Sequence, residues 1–209
     1  HHGYIPRLKA SIAFMGGDPE KLDVEILQMV RAMRNGEEVK MSKRSGKAIT
    51  MRDLIDEVGS DALRYLFIEK SLSSQMDLDL ELAVKESSDN PVYYAQYAYA
   101  RIASLFRMCE DFTLVNKLEK LDINSISDIL TCLMSYPTVV QEAASKRIPH
   151  RICQYVSDLA KALHSYYNTE KIISDDKQLT NEKLTVLKAV SICLKDALNL
   201  IGVNTKERM

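Results

Sequence analysis

Lys40 and Lys43 stand three residues apart, beside Arg44 and just before Gly46. An ammonium group on a flexible stem is a movable point charge. Two of them on a loop can neutralise a polyphosphate whose charge grows as it departs. Cations aimed at charge that develops in the transition state raise the rate and do more than bind. A solvated lysine pair is the plain alternative, because charge runs are usually surface. A second group carries a different chemistry. Tyr93, Tyr94, Tyr97 and Tyr99 crowd one stretch with Gln96 and Arg101. Flat rings can stack unpaired bases, each worth roughly 1–3 kcal/mol. An amide such as Gln96 can read base edges, and Arg101 can hold a phosphate. Some of these rings must instead pack inward, because Tyr93, Tyr97 and Ala100 share one helix face, as do Tyr94, Ala98 and Arg101.

Elements must carry these groups. Ile5, Leu8, Ile12 and Met15 recur at helical spacing, so a helix is expected from Tyr4 to Met15, ended by Gly16-Gly17-Asp18-Pro19. Val24 to Met33 reads as a strand. Asn35-Gly36 predicts a hairpin turn, since both residues tolerate positive φ, and the strand should return over Glu38 to Met41. The lysines would then follow a hairpin. Thr50 is placed to cap a helix over Met51 to Val58; Gly59 ends it and Ser60 caps another to about Ser71. Met76 to Leu80 alternates like a short strand, and Ser87 to Pro91 is a loop. Beyond it the chain reads as helix throughout, over Tyr93 to Glu110, Ile123 to Tyr136, Val139 to Lys146, Pro149 to Tyr167 and Asn181 to Leu200, with a stop at Gly202.

Composition bounds the answer. The chain has 209 residues, 46% of them hydrophobic, and a net charge of −1, so neither disorder nor a global field for nucleic acid is expected. Charge is nonetheless local: Arg31, Arg34, Lys40, Lys43, Arg44, Lys47 and Arg52 face only Glu37 and Glu38 between residues 31 and 52. No apolar run approaches the roughly 18 residues of a membrane span. The start His1-His2-Gly3-Tyr4 has no methionine and no secretory leader, so a piece of a longer chain is expected. Cys109, Cys132, Cys153 and Cys193 lie far apart in apolar helical segments, without paired metal-ligand spacing. They read as buried, reduced thiols of a cytoplasmic protein, and no protein-held metal is expected.

Several motifs now carry a resemblance. Lys40-Met41-Ser42-Lys43 resembles the signature loop of class I aminoacyl-tRNA synthetases. In that family the carboxylate of the amino acid attacks the α-phosphate of ATP, and the loop stabilises the departing pyrophosphate, usually with Mg²⁺. The resemblance implies that Lys40 and Lys43 are catalytic, with Met41 and Ser42 beside them at ATP. Asp61-Ala62-Leu63-Arg64 is similar to the motif that names a helical anticodon-binding domain of arginyl and cysteinyl synthetases. The run Asp89-Asn90-Pro91-Val92-Tyr93-Tyr94-Ala95-Gln96-Tyr97-Ala98-Tyr99-Ala100-Arg101 resembles a helix start of arginyl-tRNA synthetases. So does the terminal Glu207-Arg208-Met209, whose last residue that family folds back towards the anticodon. His2 and Gly3 resemble a segment near the adenosine. The resemblance spans the chain and implies tRNA contacts at Asn90, Tyr93, Tyr94, Gln96, Tyr97, Arg101, Tyr167, Arg208 and Met209.

The expected fold is mainly α. A small α/β segment over 1–78 ends a class I Rossmann-type catalytic domain and adds a connecting region near the tRNA stem, and a helical anticodon-binding bundle occupies 79–209. The implied partners are tRNA(Arg), L-arginine and ATP, with Mg²⁺ accompanying ATP, in a cytoplasmic monomer without membrane contact. No His-Ile-Gly-His motif and no arginine pocket are present, so this piece alone should be inactive and bind tRNA weakly. A cysteinyl-tRNA synthetase segment and a non-catalytic tRNA-binding helical module are the alternatives. Neither accounts for both the lysine loop and the terminal Glu-Arg-Met.

Overall fold

A computed structural model describes residues 2–39 and 49–209. Lys40, Met41, Ser42 and Lys43 lie outside the described residues, as does His1. Helix α1 (Tyr4–Phe14) is followed by a short 3-10 turn at Pro19–Lys21. Strand β1 (Val30–Arg34) pairs antiparallel with β2 (Glu37–Val39) and parallel with β3 (Met76–Asp79), giving the order β2-β1-β3. Asn35 and Gly36 turn the hairpin with φ of 52° and 79°, as the sequence predicts. β1 is shorter than expected: residues 24–29 run without ladder partners.

The hairpin is braced where it matters for the lysine loop. The Asn35 amide donates to Glu81 Oε2 at 2.9 Å, and Arg34 pairs with Glu57. Arg31 forks onto Asp77, directly opposite it in the ladder, at 2.7 and 2.8 Å. Two cations of the local basic run are therefore neutralised. Helices α2 (Met51–Val58) and α3 (Ser60–Glu69) cross from the hairpin to β3. Thr50 and Asp53 form a reciprocal capping box at the start of α2. The cap of α3 differs from expectation. Gly59, at φ 88°, occupies that position and Ser60 is already the first helical residue. Positive φ there suits glycine and leaves the serine side chain without a capping bond.

A one-turn helix, α4 (Leu80–Val84), was not foreseen, because Asp79 both closes the alternating strand pattern and caps the next turn through Leu82 N. Four long helices follow: α5 (Pro91–Met108), α6 (Ser127–Lys146), α7 (His150–Thr169) and α8 (Lys177–Leu200). Where two helices were expected around Pro137, α6 is one, with the proline inside it. Packing of α6 along α7 offsets a hydrogen bond that proline cannot make. α8 begins four residues before Asn181, capped by Asp176 through Leu179 N at 3.1 Å.

The core is one continuous cluster running from Leu54 to Val203. Leu159, Leu163, Leu184, Leu187, Leu194 and Leu198 are its fully buried centre. α3 joins it through the Tyr65 hydroxyl, which donates to the Cys153 carbonyl at 3.1 Å. The thiols are free, but only Cys153 is buried. Burial pushes its thiol up to about 12. Cys132 and Cys193 are half-buried, and Cys109 sits at the end of α5 rather than inside it.

Candidate nucleic-acid interface

α5 starts as its sequence dictates. Pro91 takes the first helical position, where no amide is needed, and Asn90 caps it. The Asn90 side-chain oxygen Oδ1 accepts from Val92 N at 3.1 Å and Tyr93 N at 3.4 Å. Its amide nitrogen donates to the Ala83 and Lys85 carbonyls at 3.1 and 2.9 Å. Asn90 is buried. Gln96 is buried too, and its Nε2 donates to Asp61 Oδ2 at 3.1 Å and to the Asn204 carbonyl at 2.8 Å. Both amides were expected at RNA. In this structure the Asn90 amide is engaged in fixing the start of the helix and the Gln96 amide in fixing the chain terminus.

The rings divide more evenly. Tyr93 and Tyr97 stack one turn apart on α5, with centroids 6.0 Å apart and planes 14° from parallel. Tyr97 is the more open, at 37% exposure. Tyr94 and Tyr99 are half-buried against the core. His164 of α7 lies against Tyr94 at 4.4 Å and stacks on Tyr97 at 5.6 Å.

Arg101 organises the open side. Its guanidinium carbon sits 3.7 Å from the centre of the Tyr167 ring and 5.5 Å from that of Tyr97. Its Nη1 donates to His164 Nδ1 at 2.9 Å. A guanidinium cannot accept, so Nδ1 is the acceptor and the imidazole proton is on Nε2, which faces the Tyr94 carbonyl at 3.4 Å. Burial, joined by the charge of Arg101, holds His164 below the usual histidine range despite the Tyr94 carbonyl. The ring is therefore neutral at pH 7 and can face the guanidinium without repulsion.

The chain terminus closes the site. Arg107 Nη1 donates to the Glu207 carbonyl at 3.1 Å, holding the tail along α5. A groove of about 480 Å³ runs between Tyr97, Arg101, Arg107, Tyr167, Arg208 and Met209. A neighbouring cleft of about 560 Å³ shares Arg208 and Met209 and adds Lys206, Tyr93 and the buried amides of Asn90 and Gln96. Rings, guanidinium groups and a tethered tail thus meet around one depression. Such a surface can stack unpaired bases and hold phosphates between them.

A family model described as the DALR anticodon binding domain matches residues 95–209. The chain belongs to that family. Over its full length it is 52% identical to the arginine–tRNA ligase of Bacillus pumilus, of which it spans 39%. It also superposes on a crystal structure of a Campylobacter jejuni protein assigned as an arginyl-tRNA synthetase, with TM-score 0.88 and 35% identity, covering all of this chain and 46% of that one. The Thermus thermophilus arginyl-tRNA synthetase shares the fold at TM-score 0.73 and 21% identity, over 96% of this chain and 38% of that one. The resemblance read from the motifs is thereby borne out, as are the helical fold and its small sheet.

Within this DALR chain, Tyr93, Tyr94, Tyr97, Arg101, Tyr167, Arg208 and Met209 are brought together from α5, α7 and the tail. His2 and Gly3 are not among them. They form an exposed turn ahead of α1, which packs on the Pro19–Lys21 turn. Sequence reasoning missed His164, which sits two rings deep in the site. Its signal was available in the run His164-Ser165-Tyr166-Tyr167-Asn168, which carries two ring-bearing groups besides Tyr167. Asn204 and Asp61 were missed as partners because 143 residues separate them. Among the described residues no group of three or more His, Cys, Asp or Glu is gathered as metal ligands, and no helix is long and apolar enough to cross a membrane.

Proposed function

We propose that this chain is the C-terminal part of an arginine–tRNA ligase, which activates L-arginine with ATP and transfers it to tRNA(Arg). In this reading the groove between α5, α7 and the terminus receives the anticodon. The observation that carries it is the convergence of Tyr97, Arg101, Tyr167 and Arg208 on one depression in a DALR chain. Tyr97 and the outer face of the Arg101 guanidinium offer planes for unstacked bases, and Arg208 meets phosphate. Lys40 and Lys43 stabilise pyrophosphate as it leaves, with Met41 and Ser42 at the same nucleotide. Support comes from the bracing of the hairpin that leads to them by Glu57 and Glu81. Magnesium travels on the phosphates of ATP. Residues 1–78 belong with the catalytic part and 79–209 with the anticodon part of a cytoplasmic monomer.

The test uses the full-length ligase. Lys43→Ala is expected to cut arginine-dependent pyrophosphate exchange by orders of magnitude while tRNA affinity barely changes. Swapping anticodon bases of tRNA(Arg) should weaken charging by the same protein. Exchange near the unaltered rate would remove the role of Lys43, and charging indifferent to the anticodon would remove that of the groove.

A further inference from the structure

An aspartate facing a groove meant for a polyanion needs a reason. Asp61 lines the cleft that holds Lys206, Arg208 and Met209. A free carboxylate there would repel phosphate. Asp61, however, has its acceptors occupied. Oδ1 accepts from the backbone N–H of Asn204 at 3.3 Å and from its side-chain amide at 3.0 Å; Oδ2 accepts from Gln96 Nε2 at 3.1 Å. The same Gln96 nitrogen donates to the Asn204 carbonyl at 2.8 Å. Asn204 is therefore gripped at its N–H, its C=O and its side chain by two residues from different helices.

The neighbouring turn is held by the same short motif. Gly202, at φ +70°, lets the chain leave α8, and a Cβ there would lie 2.6 Å from Arg64 Nε. Arg64 covers the turn and Asp61 pins the residue two positions later. From Asn204 onward the terminus is anchored again by Arg107 at the Glu207 carbonyl. Lys206 lies between these two points, and Arg208 and Met209 follow directly after the second; all three reach the clefts.

We propose that Asp61 is a positioning residue for RNA binding. Through Asn204 and Gln96 it sets the path of residues 204–209, and so places Arg208 and Met209 as one wall of the groove. The inference rests on the anticodon reading above. In this role Asp61 needs no contact of its own with a base. Its negative charge is offset by the donors of Asn204 and Gln96, so it can stand beside an anionic ligand.

The experiment compares the full-length ligase with Asp61→Ala, Asn204→Ala, the ligase ending at Glu207, and Asp61→Ala in that shortened chain. Two quantities are measured: hydrogen exchange of residues 203–209, and affinity for an anticodon stem-loop RNA of tRNA(Arg). Asp61→Ala should speed exchange in the tail and lower affinity by about tenfold, the scale of a lost hydrogen bond to a charged group. Asn204→Ala removes only the side-chain bond to Asp61 and leaves the two backbone bonds, so it should shift both quantities the same way by a smaller amount, also where Asp61→Ala folds poorly. In the shortened chain Asp61→Ala should cost no further affinity, because its effect runs through Arg208 and Met209. Unchanged tail exchange, or an equal loss of affinity with and without the last two residues, overturns the role of Asp61. Faster exchange in a chain that binds no anticodon RNA even when unaltered sinks the anticodon reading, and with it the RNA part of this inference.

Discussion

Helices α1 and α8 have similar apolar stripes and opposite surroundings. In α1 no residue is buried; Leu8 is 48% exposed and Phe14 94%. In α8 Leu184, Leu187, Val190, Leu194 and Leu198 are all closed to solvent. Periodicity made both helices, but it said nothing about what would cover them. α8 is wrapped by α5, α6 and α7, whereas α1 meets the Pro19–Lys21 turn. Stability within the chain is thus concentrated in the bundle that carries the RNA groove. The first helix contributes little to it.

Three changes test that contrast. The largest effect belongs to Leu194→Ala, which removes a fully buried side chain from the centre of the bundle. It should cost about 3 kcal/mol in denaturant unfolding; a loss below about 1 kcal/mol would mean the bundle is not where stability resides. Glu182→Gln comes next. Glu182 is closed to solvent, and burial alone would raise its pKa. Backbone amides of Leu121, Glu119 and Lys120 outweigh this and hold it below its ordinary value. A lowered native value means its contribution is present above about pH 4.3 and fades as pH falls through that native value. The variant should melt about 2–4 °C lower at pH 7, and the gap should narrow on acidification. A gap that widens in acid would overturn the assignment. The smallest effect is expected for Phe14→Ser: within about 0.5 kcal/mol, the range of an ordinary surface change. A clear destabilisation would show that α1 is covered after all.

Much of the site was legible. The Asn35-Gly36 turn, the Thr50 cap and the short alternating strand each rest on chemistry within four residues, and each appears as read; α5 instead starts at Pro91, two residues before the expected Tyr93 and inside the expected loop. Arg101 and Tyr97 stand out because an aromatic run with a cation is visible as a string, and the fold sets the two side by side. The departures from the local reading have two causes. Ser60 and the early start of α8 at Lys177 turned on local competition, Gly59 taking the cap of α3 and Asp176 capping Leu179, whereas the unbroken helix at Pro137 depended on neighbours outside the local window. So did the inward turn of Asn90 and Gln96, whose amides look free until Ala83, Lys85, Asp61 and Asn204 are placed beside them.

Local order therefore came from spacing and residue type: helix caps, hairpin turn, apolar periods and the ring-bearing face of α5 follow from interactions a few residues long. Which rings open to solvent, why His164 is neutral, and where Arg208 and Met209 lie could not follow from these. They are set by contacts across tens to more than a hundred residues. A folded bundle creates those partners, and a linear string has no way to rank them.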